Sequence, residues 1–197
     1  CNSMPPSRPL VKPGSATSGT GYSFPAELIS RGSDITVEIE ICQGDITNTP
    51  SKVILLGQIQ GLDPTSATKD LDDAMDGNLS RLLALRNAAR GPGSLDVIPT
   101  GRFPIMADLI AFLGLGKWED FTDDTLLAAA RSALRNLLAS SFDEFSTTLM
   151  GGRRPGDDRI DVAGALFPMM RGFMEALRDD PDRDRFRRIV IVEQDET

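Results

Sequence analysis

Residues 107–139 read ADLIAFLGLGKWEDFTDDTLLAAARSALRNLLA, and the fold follows from this stretch. Leu109, Ile110, Ala111, Phe112 and Leu113 form an unbroken apolar run, the pattern of a strand covered on both faces in a parallel or mixed α/β sheet. Gly114 and Gly116 are expected to end it, because glycine accepts backbone angles that other residues resist. Thr122 is placed to cap a helix. Asp123 and Asp124 then fall in its first turn, where carboxylates favour the positive end of the helix dipole. Leu126, Leu127, Ala130, Ala133, Leu134, Leu137 and Leu138 recur at helical spacing and make one apolar face, with Arg131 and Arg135 on the other. The unit is a strand, a tight turn and an amphipathic helix.

The flanks repeat the alternation. Upstream, Asp34–Cys42 alternates Ile35, Val37, Ile39 and Ile41 with polar residues, a half-buried strand near a sheet edge. Lys52–Ile59 reads as a second strand. Asp70–Ala89 reads as one helix with Leu71, Met75, Leu79, Leu82 and Leu83 toward the core, stopped by Gly91-Pro92-Gly93. Leu95–Ile98 is a short strand ended by Pro99. Downstream, Phe145–Met150 is strand-like and closes in Gly151-Gly152-Arg153-Arg154. Asp161–Arg178 is a helix whose expected buried stripe is Val162, Leu166, Met169, Met170, Phe173 and Leu177, with Pro168 inside it. A charged connector leads to a final buried strand, Arg188–Glu193. Strands alternating with helices predict a three-layer α/β/α sandwich with a mixed, largely parallel sheet. Residues 1–33, rich in Pro, Gly, Ser and Thr, are expected to be a flexible leader to a domain over 34–197. That domain ends so soon after a core strand that it reads as the amino-terminal module of a longer protein.

The chain has 197 residues, a net charge of −8 and no histidine. A histidine-based triad and a histidine-ligated metal are excluded, which leaves carboxylate and lysine chemistry. The acidic balance argues against a nucleic-acid surface. No apolar run reaches the roughly 20 residues that span a bilayer. The two cysteines, Cys1 and Cys42, and the lack of a signal segment point to a reducing, cytoplasmic setting.

Four stretches offer candidate chemistry. Gly114-Leu115-Gly116 has the backbone freedom to cradle a phosphate near a helix start, although a tight structural turn explains the same residues. Gly151, Gly152 and Arg153 combine a flexible backbone with a guanidinium suited to phosphate or carboxylate; an exposed loop is the plainer meaning. Asp72 and Asp76 share a helical face and have the donors for Mg²⁺, but aspartates also favour helix starts. Met169, Met170 and Met174 suit core filling or a partner groove.

Two family resemblances emerge from these residues. Phe112–Leu138, with Gly114-Leu115-Gly116-Lys117, then Trp118-Glu119-Asp120, then the alanine-rich helix, resembles the amino-terminal domain of the leucyl aminopeptidase family. Asp76–Leu83 is similar to that family's Gly-x-Leu-x-x-Leu segment. The resemblance implies a macrodomain-like fold without catalytic machinery, since the family's Asn-Thr-Asp-Ala-Glu-Gly-Arg signature and its metal-ligand motifs are absent. It also implies no cofactor, and partners among the other domains of a parent protein or a separate protein. The second resemblance is to macrodomains that bind ADP-ribose, carried by Gly44-Asp45-Ile46-Thr47 after a strand. It implies that Asp45 meets an adenine amino group and that the Ile46 backbone N–H helps hold the ring. Where macrodomains carry Asn-Ala-Ala-Asn, this chain reads Leu56-Gly57-Gln58-Ile59-Gln60-Gly61, which departs from the pattern for the distal ribose.

Overall fold

A computed structural model describes residues 22–30, 33–61, 66–85, 91–152 and 161–193. The apolar run of the deciding stretch lies in strand β5, Leu109–Lys117, and is covered on both faces as expected. Ile110 and Phe112 point to one core; Ala111, Leu113 and Leu115 point to the other. Gly114 and Gly116 do not end this strand. Its neighbour β3, Val53–Gln60, runs parallel to it as far as Gln60 opposite Lys117, and this pairing carries the strand past both glycines. The register slips between Gln58 and Gln60, and Gly116 absorbs the irregularity with φ of 78°. Trp118–Asp120 then makes a single 3-10 turn, and α3 spans Asp123–Ala139. Thr122 caps it as read: the Thr125 N–H donates to Thr122 Oγ1 at 3.2 Å, and the Thr122 N–H donates to Thr125 Oγ1 at 2.8 Å.

Seven strands are described, in the order β1-β2-β7-β6-β3-β5-β4. β2 (Ser33–Gln43), β7 (Arg188–Glu193), β6 (Glu144–Thr147), β3 and β5 are parallel; β1 (Tyr22–Ser30) and β4 (Leu95–Pro99) close the two edges antiparallel. Helices α3 and α4 (Val162–Asp179) pack on one face; α1 (Ser66–Ala74) and α2 (Asn78–Leu85) pack on the other. This is the three-layer α/β/α sandwich with a mixed, largely parallel sheet.

Three local expectations change. Tyr22–Ser30 belongs to the sheet, although its composition placed it in the leader; it pairs along β2 from Tyr22 opposite Ile41 to Ser30 opposite Ser33. The alternation Tyr22, Phe24, Ala26, Leu28 was a strand signal, and Pro25 is tolerated because the strand is an edge. The remaining leader, residues 1–21, lies outside the described residues. The single helix expected from Asp70 is two helices. Asp76 and Gly77 take φ of 54° and 73°, and Asn78 Nδ2 donates to the Met75 carbonyl at 2.7 Å, so the chain turns before α2 starts. Leu71, Met75, Leu79 and Leu83 are buried across both pieces. The expected end of that helix, residues 86–90, lies outside the described residues. In α4 the inward stripe is Ala165, Pro168, Met169, Gly172, Phe173, Ala176 and Leu177; Val162 is exposed instead.

The base of the parallel sheet is clasped by charge. Asp143, just before β6, accepts from Lys52 Nζ at 2.6 Å and from the Arg187 guanidinium. Its backbone carbonyl accepts the Arg187 N–H at 2.7 Å. These partners pull its carboxyl from 3.8 down to about 2, the Lys52 hydrogen bond most strongly. A folded-state value below the unfolded one means the contribution is full above about pH 4 and is lost as pH falls toward 2. Lys52 and Arg187 are solvent-exposed, so screening keeps the clasp weak. Asp143→Asn should lower the urea midpoint at pH 7 and have a much smaller effect at pH 2, where the carboxyl is about half protonated. Equal losses at both pH values would remove the ionised carboxylate as the cause.

Candidate functional site

The carboxyl ends of the parallel strands form a crest where three connections meet. The strand β7 ends in Glu193, which ties two of them. Its backbone carbonyl accepts the Gly44 N–H at 2.9 Å, holding the turn after β2. Its Oε1 accepts the Leu149 N–H at 2.8 Å, holding the loop after β6. Burial pushes the Glu193 carboxyl up from its ordinary value, and the Leu149 hydrogen bond partly offsets this. An acid closing an apolar strand reads in sequence as an ordinary strand end, so nothing singled out Glu193.

Asp45 and Ile46 stand in the turn after β2. Asp45 caps the 3-10 turn Ile46–Asn48, and its carboxylate accepts the Thr47 N–H at 2.8 Å and Asn48 Nδ2 at 3.0 Å. Ile46 is buried in the same core as Val190 and Val192, beneath α1 and α2. The carboxylate therefore makes local turn contacts, and the isoleucine side chain anchors the turn.

The glycines of the other candidates also serve the chain itself. The Gly114 N–H donates to the Ser94 carbonyl, and the Gly114 carbonyl accepts the Gly93 N–H, both at 2.8 Å. Leu115 is buried, and a Cβ on Gly116 would lie 2.9 Å from Pro92 Cγ. Thus the Gly114–Gly116 backbone is engaged by the arm leading into β4, and the reading of a tight strand-to-helix turn is corrected with it. Gly151 takes φ of 74°, and a Cβ there would overlap the Phe121 ring. Phe121 in turn stacks on Trp118 at 5.4 Å. Gly152 is buried, and its carbonyl accepts the Asp161 N–H that starts α4. Arg153 lies outside the described residues. Over the end of β3, Leu115 and Met150 close in from two sides: a Cβ on Gly57 would sit 2.7 Å from Leu115 Cδ1 and 2.9 Å from Met150 Sδ. Asp45, Ile46, Leu115, Gly151 and Gly152 are thus spread along the crest, and the chain's own side chains fill it over Gly57 and Gly151.

Beside Asp45 the surface dips into a depression of about 310 Å³, lined among others by Glu40, Cys42, Asn48 and Arg188. Arg188 is held by its own chain: its guanidinium lies 3.3 Å from Glu144 and 3.8 Å from Glu40, and it donates to the Pro50 carbonyl at 3.2 Å. Cys42 is a half-buried free thiol, and burial pushes its pKa up. Of the two aspartates weighed for Mg²⁺, Asp72 accepts the Ser80 N–H and hydroxyl at 2.9 and 2.6 Å, and Asp76 lies beyond the end of α1 in the left-handed turn. Among the described residues no three acidic or cysteine side chains gather to hold a metal ion. No helix there is long and apolar enough to cross a membrane.

The sheet order, the crossovers and the two helical layers define a macrodomain-like α/β fold. Solved structures with this fold include the Oceanobacillus iheyensis macrodomain with MES bound, 16% identical over 87% of this chain and 89% of that one, with a TM-score of 0.63. The same macrodomain with ADP is 16% identical over 87% and 88%, with a TM-score of 0.62. The macrodomain of Thermus aquaticus DarG is 11% identical over 79% and 97%, with a TM-score of 0.55. The chain itself belongs to the cytosol aminopeptidase family, as its N-terminal domain: that family's model matches residues 53–166, more than half of the sequence. No curated protein matches the sequence at a significant level.

Proposed function

We propose that this domain is a non-catalytic module that serves assembly, regulation or recognition in a larger protein, in a reducing, cytoplasmic setting. It comprises residues 34–197 together with β1. One observation carries the reading: at the ends of β3 and β6 the crest is packed by the chain itself, with Met150 and Leu115 over Gly57 and Phe121 over Gly151. A phosphate cradle needs free backbone amides, and the Gly114 N–H already donates to Ser94. A nucleotide site built on Asp45 would have to compete with the Thr47 and Asn48 donors.

The second reading, binding of ADP-ribose or a related nucleotide, is favoured by Asp45 opening a turn at the end of β2 in a macrodomain-like fold. Calorimetric titration separates the two. The first predicts no saturable heat from ADP-ribose or AMP. Saturable ADP-ribose binding that disappears in Asp45→Ala, with the fold intact, would overturn it and establish the second.

A further inference from the structure

We propose that the outer edge of α4 is a docking surface for a partner segment that carries apolar anchors with an acidic flank. This deepens the recognition reading above and rests on it. Phe167 is 72% exposed, on the side of α4 away from its buried residues. Ala163, Phe167, Met170 and Met174 recur at i, i+4, i+7 and i+11, which places them along one stripe. Ala163 is exposed, and Met170 and Met174 are half-buried against the core. The stripe is therefore a continuous apolar ledge whose aromatic tip stands in water. Large exposed aromatics with adaptable methionines beside them are the composition of interface cores.

Charge decides which partner fits. Beside the stripe, Arg171, Arg178, Arg131 and Arg135 share two carboxylates. Glu175 meets Arg171 at 3.1 Å and Arg131 at 3.7 Å. Asp179 meets Arg131 at 3.0 Å, Arg135 at 2.9 Å and Arg178 at 3.8 Å. Four guanidiniums over two acids leave a local positive surplus on a chain whose net charge is −8. The complement is an amphipathic segment whose apolar residues cover Phe167 and the methionines and whose acids reach Arg171 and Arg178. An acidic chain is a poor match for an anionic bilayer, which disfavours a lipid surface.

The test uses the full chain and two labelled helical peptides with identical leucine anchors at i, i+3, i+4 and i+7, one flanked by glutamates and one by lysines. Fluorescence anisotropy should show saturable binding of the glutamate peptide alone. Phe167→Ala should weaken it about tenfold or more, as expected for an aromatic anchor. Charge reversal at Arg171→Glu with Arg178→Glu should switch preference to the lysine peptide. Both sites are exposed, so circular dichroism is expected to show folded variants. Equal binding of both peptides, no binding of the glutamate peptide, or binding indifferent to Phe167→Ala would each overturn the proposal. A dimer of the full chain that dissociates in Phe167→Ala would also overturn it, by assigning the ledge to a second copy. Silence from the peptides alongside silence from ADP-ribose removes this surface alone, whereas saturable ADP-ribose binding removes the reading beneath it.

Discussion

Phe145→Ala should remove about 3–5 kcal/mol of stability, the range for truncating a buried aromatic. The ring is completely buried and is the hub of an aromatic cluster. Its centroid lies 5.2 Å from that of Phe173 in edge-to-face contact, and 5.9 Å from that of Phe186. Phe173 belongs to α4 and Phe186 leads into β7, so one side chain couples the sheet to a helical layer and to the next strand. The strand that carries it has only four residues, Glu144–Thr147, so its ladder is short. Packing must therefore hold this central strand. Urea unfolding should show a midpoint lowered by a large fraction of the total, since domains of this size have only about 5–15 kcal/mol in hand. Phe167→Ala is the control: the same residue change at an exposed site should stay within about 0.5 kcal/mol. If the two variants unfold alike, the burial assigned to Phe145 is wrong.

Gly172→Val should be nearly as damaging, and Gly172→Ala fixes the sign of the effect. Glycine inside a helix is ordinarily a weakness, and alanine there would add about 0.5–1 kcal/mol. Here a Cβ would overlap the Leu127 carbonyl oxygen and would lie 2.9 Å from Ala130 Cβ and 3.0 Å from the Arg131 nitrogen. Two of those three atoms are backbone, which cannot rotate away. The two helices must separate, at about 1–3 kcal/mol for overpacking by one methyl and more for the branched side chain. Thermal unfolding of Gly172→Ala should therefore show a lower midpoint. A higher midpoint would mean that α3 and α4 lie farther apart than described and that propensity governs the position.

Much of this architecture was readable in the residues, because it rests on periodicity. The run from Leu109, the capping at Thr122, the alternation from Ile35 and the closing strand from Arg188 each carry a local pattern that survives folding. Misreadings fell where long-range pairing overrides local preference. Gly114 and Gly116 looked like a stop because glycine ends strands, yet β3 on one side and the arm at Gly93–Ser94 on the other keep that backbone in the sheet. Asp76-Gly77-Asn78 looked like helix interior because Leu79 and Leu83 kept the apolar spacing, although these residues favour the left-handed turn that separates α1 from α2. The leader's small residues and prolines masked the alternation of β1.

The candidate site shows the same division. From sequence alone came an acidic chain without histidine, two apolar faces on its central strands, and Asp45 and the glycines at strand ends, all properties of single residues or of short-range spacing. Whether those glycines are open or occupied was decided only by tertiary structure. Met150, Leu115, Phe121 and Pro92 reach them from separate parts of the chain. Glu193 joins turns that are remote in sequence, and Phe167 is left outside a helix whose other aromatic, Phe173, is buried. Periodicity tells which side chains share a face, but not what stands opposite that face, and burial, hydrogen bonding and free surface all depend on the opposite side.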